Sequence, residues 1–136
     1  MNEVIDLANG IFGEAASEDY NTMLMVGSSA INRLKSNRPQ EFGSNLQEVL
    51  QKGYYAVSNP NEPYKQALTQ QFPDKDSENK YKVALQIASG LIKGTIKPTE
   101  GQFYFTSKEI KKLKKSFKFE QVKSYGKTGK YEVFGY

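Results

Sequence analysis

Glu3–Glu18, EVIDLANGIFGEAASE, is the stretch whose reading decides the fold. Val4, Leu7, Ala8, Ile11, Phe12 and Ala15 recur at spacings of three and four, the period of an amphipathic helix. Glu14 interrupts the polar logic of that helix. At 100° per residue it falls within about 60° of both Leu7 and Ile11, so its carboxyl stands on the apolar stripe. A carboxyl held against apolar surface resists ionisation. A glutamic acid that keeps its proton near neutral pH is a general acid. The spacing leaves a second reading open, in which a Glu at a helix end turns to solvent or pairs with an arginine. Gly10 and Gly13 lie on either side of Ile11 and Phe12, one turn apart. Each weakens the helix by about 1 kcal/mol relative to Ala, but lets a backbone or a bulky group approach closely.

The residues the chain lacks narrow the chemistry. It has no His and no Cys. That removes thiol nucleophiles, Ser-His triads and the usual zinc sites, and no cofactor or metal is expected. An enzyme built from this set works with carboxylates, hydroxyls, Tyr, Lys or Arg, which favours carboxylate chemistry on glycosidic bonds. The 136 residues suffice for one domain with a core, residues 1–136. No apolar run of about 18 residues is present, so no membrane span is expected. The start, MNEVIDLANG, carries acid where a secretory signal needs a basic region and an apolar core, so no signal peptide is predicted.

Charge divides the chain. Residues 1–100 hold 10 basic against 12 acidic residues, and residues 101–136 hold 9 against 3. The basic end is a candidate contact for an anionic polymer or an acidic partner protein, or a solvated face that serves solubility. A net acidic first hundred residues and the lack of a binding motif argue against nucleic acid.

The elements follow from caps and periods. A second helix is predicted over about Asn21–Lys35, with Met23, Val26, Gly27, Ala30, Ile31 and Leu34 as its apolar stripe. Residues 36–45 read as a loop, followed by a short helix to about Lys52. Residues 53–63 read as a second loop carrying Tyr54 and Tyr55, either a buried pair or exposed rings suited to stacking on sugar. Asn61 caps a helix that runs to about Phe72, and Ser77 caps the next, which Gly94 stops. Beyond Pro98 the texture changes. Gln102–Thr106 reads as a strand, Ser107 caps a basic helix, and Phe117–Lys123 alternates as a half-buried strand. Gly126–Gly129 reads as the turn of a hairpin closed by Tyr131–Phe134. The class is α+β, mainly α, with a helical core over about residues 2–94, a basic α/β region over about 101–136 and a small C-terminal β-hairpin.

Ile11–Arg33, IFGEAASEDYNTMLMVGSSAINR, resembles the SleB-type cell-wall hydrolase family, which includes spore-cortex-lytic enzymes and phage wall-degrading proteins. The family shows I-Y/F-x-E-A-x-x-E, a short gap, and a small-residue helix ending V-x-x-x-x-x-N-R. The matches are Glu14, Ala15 and Glu18, then Val26, Asn32 and Arg33. LQEVLQKGYY (46–55), ALQIASG (84–90) and GQFYFTS (101–107) are similar to later elements of the family, in the same order. The chain departs from the family in its long Asn61–Ser77 stretch and its basic ending after Ile110.

The resemblance implies a lysozyme-like fold with the acid at the C-terminal end of the first helix. It implies cleavage of the β-1,4 bond between N-acetylmuramic acid and N-acetylglucosamine in peptidoglycan, by a lytic transglycosylase or muramidase with a single catalytic Glu. Glu14 would be general acid and then base. Glu18, Tyr54, Tyr55, Ser58 and Tyr104 are the candidate substrate-binding residues. Glu18 has two other candidate roles, tuning Glu14 or capping the second helix. Asn32 and Arg33 are expected to brace helix ends and loops. Lys108, Lys111 and Lys112 are candidates for peptide-stem carboxylates or simple solvated charge. The expected partners are peptidoglycan glycan strands, with virion proteins as candidates for the basic C-terminal region. The expected place of action is the bacterial cell wall, reached from a virion or after lysis. The competing reading is a non-enzymatic virion or adaptor protein that keeps a lysozyme-like shape.

Overall fold

A computed structural model describes residues 2–136 of the chain. The first helix, α1, spans Glu3–Ala15. Asn2 caps it, its side-chain oxygen accepting from the amides of Val4 and Ile5 at 3.0 and 3.3 Å. Leu7 to Gly13 are all buried, so the helix is covered on every side and not along one stripe. Such a helix belongs at the centre of its domain. The one polar residue in that run, Asn9, accepts a hydrogen bond from the Tyr81 hydroxyl at 2.6 Å, as a buried amide must.

Around α1 pack α2 (Tyr20–Lys35), α4 (Leu46–Gly53), α5 (Tyr55–Ser58), α6 (Glu62–Thr69) and α7 (Lys75–Lys93). A single turn, α3 (Pro39–Phe42), lies against α2 and α4. Both α3 and α5 fall in stretches predicted as loops. Each is a four-residue turn with too few residues to show a period. Two boundaries move for local reasons. α7 begins two residues before Ser77 because Asp74 supplies the cap, its carboxylate accepting the Ser77 amide at 2.8 Å. α6 stops at Thr69 and not Phe72, because Gln70 turns left-handed at φ 55°.

After the helices come β1 (Phe103–Thr106), α8 (Ser107–Leu113), β2 (Lys123–Thr128) and β3 (Tyr131–Gly135). The strands form an antiparallel sheet in the order β1-β3-β2. Phe103 pairs with Phe134, Tyr104 with Val133 and Thr106 with Tyr131. Side chains alternate across a strand. Tyr104, Tyr131 and Val133 therefore share one face, which joins the helical core. Phe103, Phe105 and Phe134 share the other face, where Phe117 and Phe119 pack edge-on against them at ring distances of 4.9–6.1 Å.

The predicted strand over Phe117–Lys123 is corrected here. Phe119–Gln121 is a 3₁₀ turn and β2 begins only at Lys123. Alternating Phe117 and Phe119 looked like a pleat, yet a turn brings both rings onto the same aromatic cluster. The predicted 126–129 turn is corrected too, since Gly126–Thr128 lie in β2 and the reversal falls at Gly129-Lys130. Thr106, not Ser107, caps α8, in a reciprocal capping box with Glu109. The architecture is α+β and mainly α, with a small three-stranded antiparallel sheet near the C-terminus. Among the described residues no helix is long and apolar enough to cross a membrane.

Candidate active site

The site starts with where α1 ends. Ala15 is its last residue, so Glu14 sits in the final turn, half-buried at the floor of an open groove of about 440 Å³. One carboxylate oxygen, Oε2, accepts the backbone amide of Ala56 at 2.9 Å. The other, Oε1, accepts the hydroxyl of Tyr104 at 2.5 Å. The spacing predicts an apolar wall around this carboxyl. The structure instead gives it two aimed donors, one from α5 and one from β1.

Each donor is placed by identifiable residues. Gly13 lets α5 approach, because a Cβ there would fall 2.9 Å from the Cβ of Ala56 and 3.0 Å from that of Tyr64. The close approach that the glycine spacing predicts is thus used by the protein's own α5. Asn61 ties the same corner, donating to the Gly13 carbonyl at 2.7 Å while its oxygen caps α6 through the Tyr64 amide. On the other side, Asn32 donates to the carbonyls of Thr99 and Gly101 at 2.6 and 2.9 Å. Arg33 Nε donates to the Gln102 carbonyl at 2.7 Å. These bonds from α2 anchor the run into β1 and so set the position of Tyr104. Asn32 and Arg33 brace a loop, as the sequence predicts.

Burial, and then the charge of Glu14, hold the Tyr104 phenol well above its ordinary pKa. It remains a neutral donor at any physiological pH. Tyr131 meets Tyr104 edge-on at 5.3 Å. Burial first, then the charges of Glu18, Glu14 and Glu109, push its phenol up to about 12.

Groove-lining residues include Gly13, Glu14, Arg33, Tyr55, Asn61, Tyr104, Phe105, Glu109 and Tyr131. Among the predicted site residues, Glu14, Tyr55 and Tyr104 come together. Tyr55 stands at the groove, 72% exposed. Three others do not join them. Tyr54 is fully buried, its ring against Gly10 and its hydroxyl donating to the Val26 carbonyl, so it is a core residue. Successive residues at the α4–α5 junction face opposite ways, which separates the adjacent tyrosines. Ser58 is exposed and donates to the Tyr55 carbonyl at 3.3 Å, outside the groove lining. Glu18 lies beyond the end of α1, so it does not stack one turn above Glu14. It accepts from Ser17 at 3.2 Å and faces Lys130 at 3.6 Å. Asp19, not Glu18, caps α2.

Sequence reading missed Glu109, Phe105 and Tyr131 as groove residues. Nothing local in the α8 sequence shows that Glu109 reaches the groove that Glu14 lines. Lys108, Lys111 and Lys112 are exposed on α8. Among the described residues no group of three or more acidic side chains is placed to hold a metal ion. Comparison with protein-family models, with curated proteins and with solved structures gives no match.

Proposed function

We propose that the protein is a lysozyme-like enzyme that cleaves the β-1,4 bond between N-acetylmuramic acid and N-acetylglucosamine in peptidoglycan, with Glu14 as its acid. The observation that carries the reading is the Glu14 carboxyl itself, in the last turn of a buried helix, open to a groove and gripped at both oxygens. Protonated Glu14 delivers its proton to the glycosidic oxygen. As the bond breaks, a carboxylate forms, and the Ala56 amide and the Tyr104 hydroxyl are already aimed at the charge that develops. A single acid suffices if the muramyl 6-hydroxyl then gives its proton back to Glu14 and closes on C1 as an anhydro sugar. That outcome makes the protein a lytic transglycosylase. Tyr55 offers an exposed ring at the rim on which a sugar face can lie. The groove's open shape suits a polymer strand more than a small metabolite.

Support for the wall as target comes from the sequence resemblance and from this geometry together. The protein would reach the wall from a virion or after lysis, with its basic C-terminal region as a surface for virion proteins. The rival reading is an adaptor of the same shape without catalysis. Mass spectrometry of purified wall incubated with the protein separates the outcomes. The reading expects muropeptides with anhydro ends, and reducing ends would mean a muramidase. Free stem peptides, or no soluble product, would overturn it.

A further inference from the structure

Arg33 is only 7% exposed, yet among the described residues no carboxylate lies within ion-pair distance of it. Its Nε is used by the Gln102 carbonyl, and neither Nη donates to a protein group among the described residues. The guanidinium lies near the rings of Phe42 and Phe103, at 5.7 and 5.8 Å from their centres. It borders two hollows at once, the Glu14 groove and a smaller one of about 230 Å³ lined also by Glu41, Val49 and Lys52. Gly53 makes room for it, since a Cβ there would fall 1.7 Å from Nη1. Among the described residues no fully buried side-chain nitrogen lacks a partner, so the Nη groups open onto these hollows, and a cation this largely buried is ordinarily paired.

The one acid in the smaller hollow does not fill that role. Glu41 is taken up elsewhere, by Lys118 at 2.5 Å, by the Tyr136 hydroxyl at 2.8 Å and by Arg38 at 3.6 Å. Burial pushes its carboxyl up, but the hydrogen bonds from Lys118 and Tyr136 and the nearby positive charges outweigh it and hold it below its usual range. The hollow is therefore net positive, with the Arg33 fork and the exposed Lys52 ammonium free to meet an anion.

We infer that Arg33 and Lys52 form a carboxylate subsite beside the Glu14 groove, filled by a carboxylate of the peptide stem that the cleaved glycan carries. A guanidinium fork matches a carboxylate with two parallel hydrogen bonds. The subsite rests on the proposed activity for the identity of its ligand, but not for its existence.

The test is titration of ¹⁵N-labelled protein with three probes. They are a muramyl peptide with free carboxylates, the same peptide with its carboxylates amidated, and neutral chitotetraose. The free acid should bind about tenfold tighter than the amidated form and shift the Arg33 Nε–H and Gly53 amide signals saturably. Gly53→Ala, which displaces the guanidinium, and Lys52→Gln, on the surface, should each shrink that advantage to about twofold or less with the far-UV spectrum unchanged. Equal affinity for the two peptides, or static Arg33 and Gly53 signals, overturns the subsite. If chitotetraose still perturbs signals near Glu14 in that case, the glycan reading survives alone. If the free acid moves Arg33 while chitotetraose moves nothing, the subsite stands and the glycan reading falls. No binding by any probe removes both.

Discussion

Two tyrosines of the candidate set each anchor a hydroxyl, and the difference between their partners gives different expectations. Tyr104 donates to Glu14. Tyr104→Phe removes one of the two donors to Glu14, which in the proposed mechanism face the developing carboxylate. It should lower the rate of muropeptide release by about 100-fold, as loss of one oriented donor does elsewhere, with little change in Tm. Tyr54 donates to Val26 from within the core. Tyr54→Phe should cost about 1 kcal/mol of stability, about 3–5 °C in Tm, with the rate unchanged. Paired rate and melting measurements on both variants check this. If Tyr54→Phe slows cleavage tenfold while Tyr104→Phe does not, the two roles are reversed. At this scale Glu14 was legible because a carboxyl on an apolar stripe violates the period. The fate of the Tyr54-Tyr55 pair was not, because the short α5 turn that separates them leaves no periodic signal.

At the scale of elements, α1 and α5 meet only because Gly13 has no side chain. Gly13→Ala sets about 1 kcal/mol gained in helix propensity against about 1–3 kcal/mol of overpacking. The fold should survive with a Tm a few degrees lower. α5 must retreat by tenths of an ångström, and the Ala56 amide should then lose its grip on Glu14. A rate loss of at least about tenfold is expected, read from wall clearance alongside melting curves. An unchanged rate would mean that the Ala56 amide does not matter. Helices α1, α2, α4, α6 and α7 were readable from caps and apolar stripes, because side-chain oxygens and 3.6-residue periods act locally, whereas the four-residue turns α3 and α5 carry no side-chain cap. The Phe117–Lys123 strand was misread, because the alternation of two phenylalanines satisfied a strand template while the aromatic cluster on β1 and β3 was better reached by a turn.

Across the whole molecule, the groove exists because the sheet and the helical core share one interior, through Tyr104, Tyr131 and Val133. That juxtaposition joins residues some ninety positions apart, which no local pattern encodes. It also has a pH signature. Tyr54, Tyr64, Tyr81, Tyr104 and Tyr131 are all raised above the ordinary phenol value, chiefly by burial, Tyr131 to about 12. In the unfolded chain these phenols ionise near about 10. The unfolded state then binds fewer protons than the folded one, so the stability they contribute is complete below about pH 10 and is lost as pH rises through about 12. Tyrosinate absorbance at 295 nm should show a late step that coincides with loss of helical circular dichroism. A titration complete by about pH 11 with the helices intact would contradict the burial described. The most direct measurement is release of soluble muropeptides from purified wall by Glu14→Gln beside the parent. The Gln side chain keeps the shape and an acceptor for the Ala56 amide, so Tm should stay within a few degrees while release is abolished. A Gln variant that clears wall as fast as the parent would contradict the assignment of Glu14 as the acid.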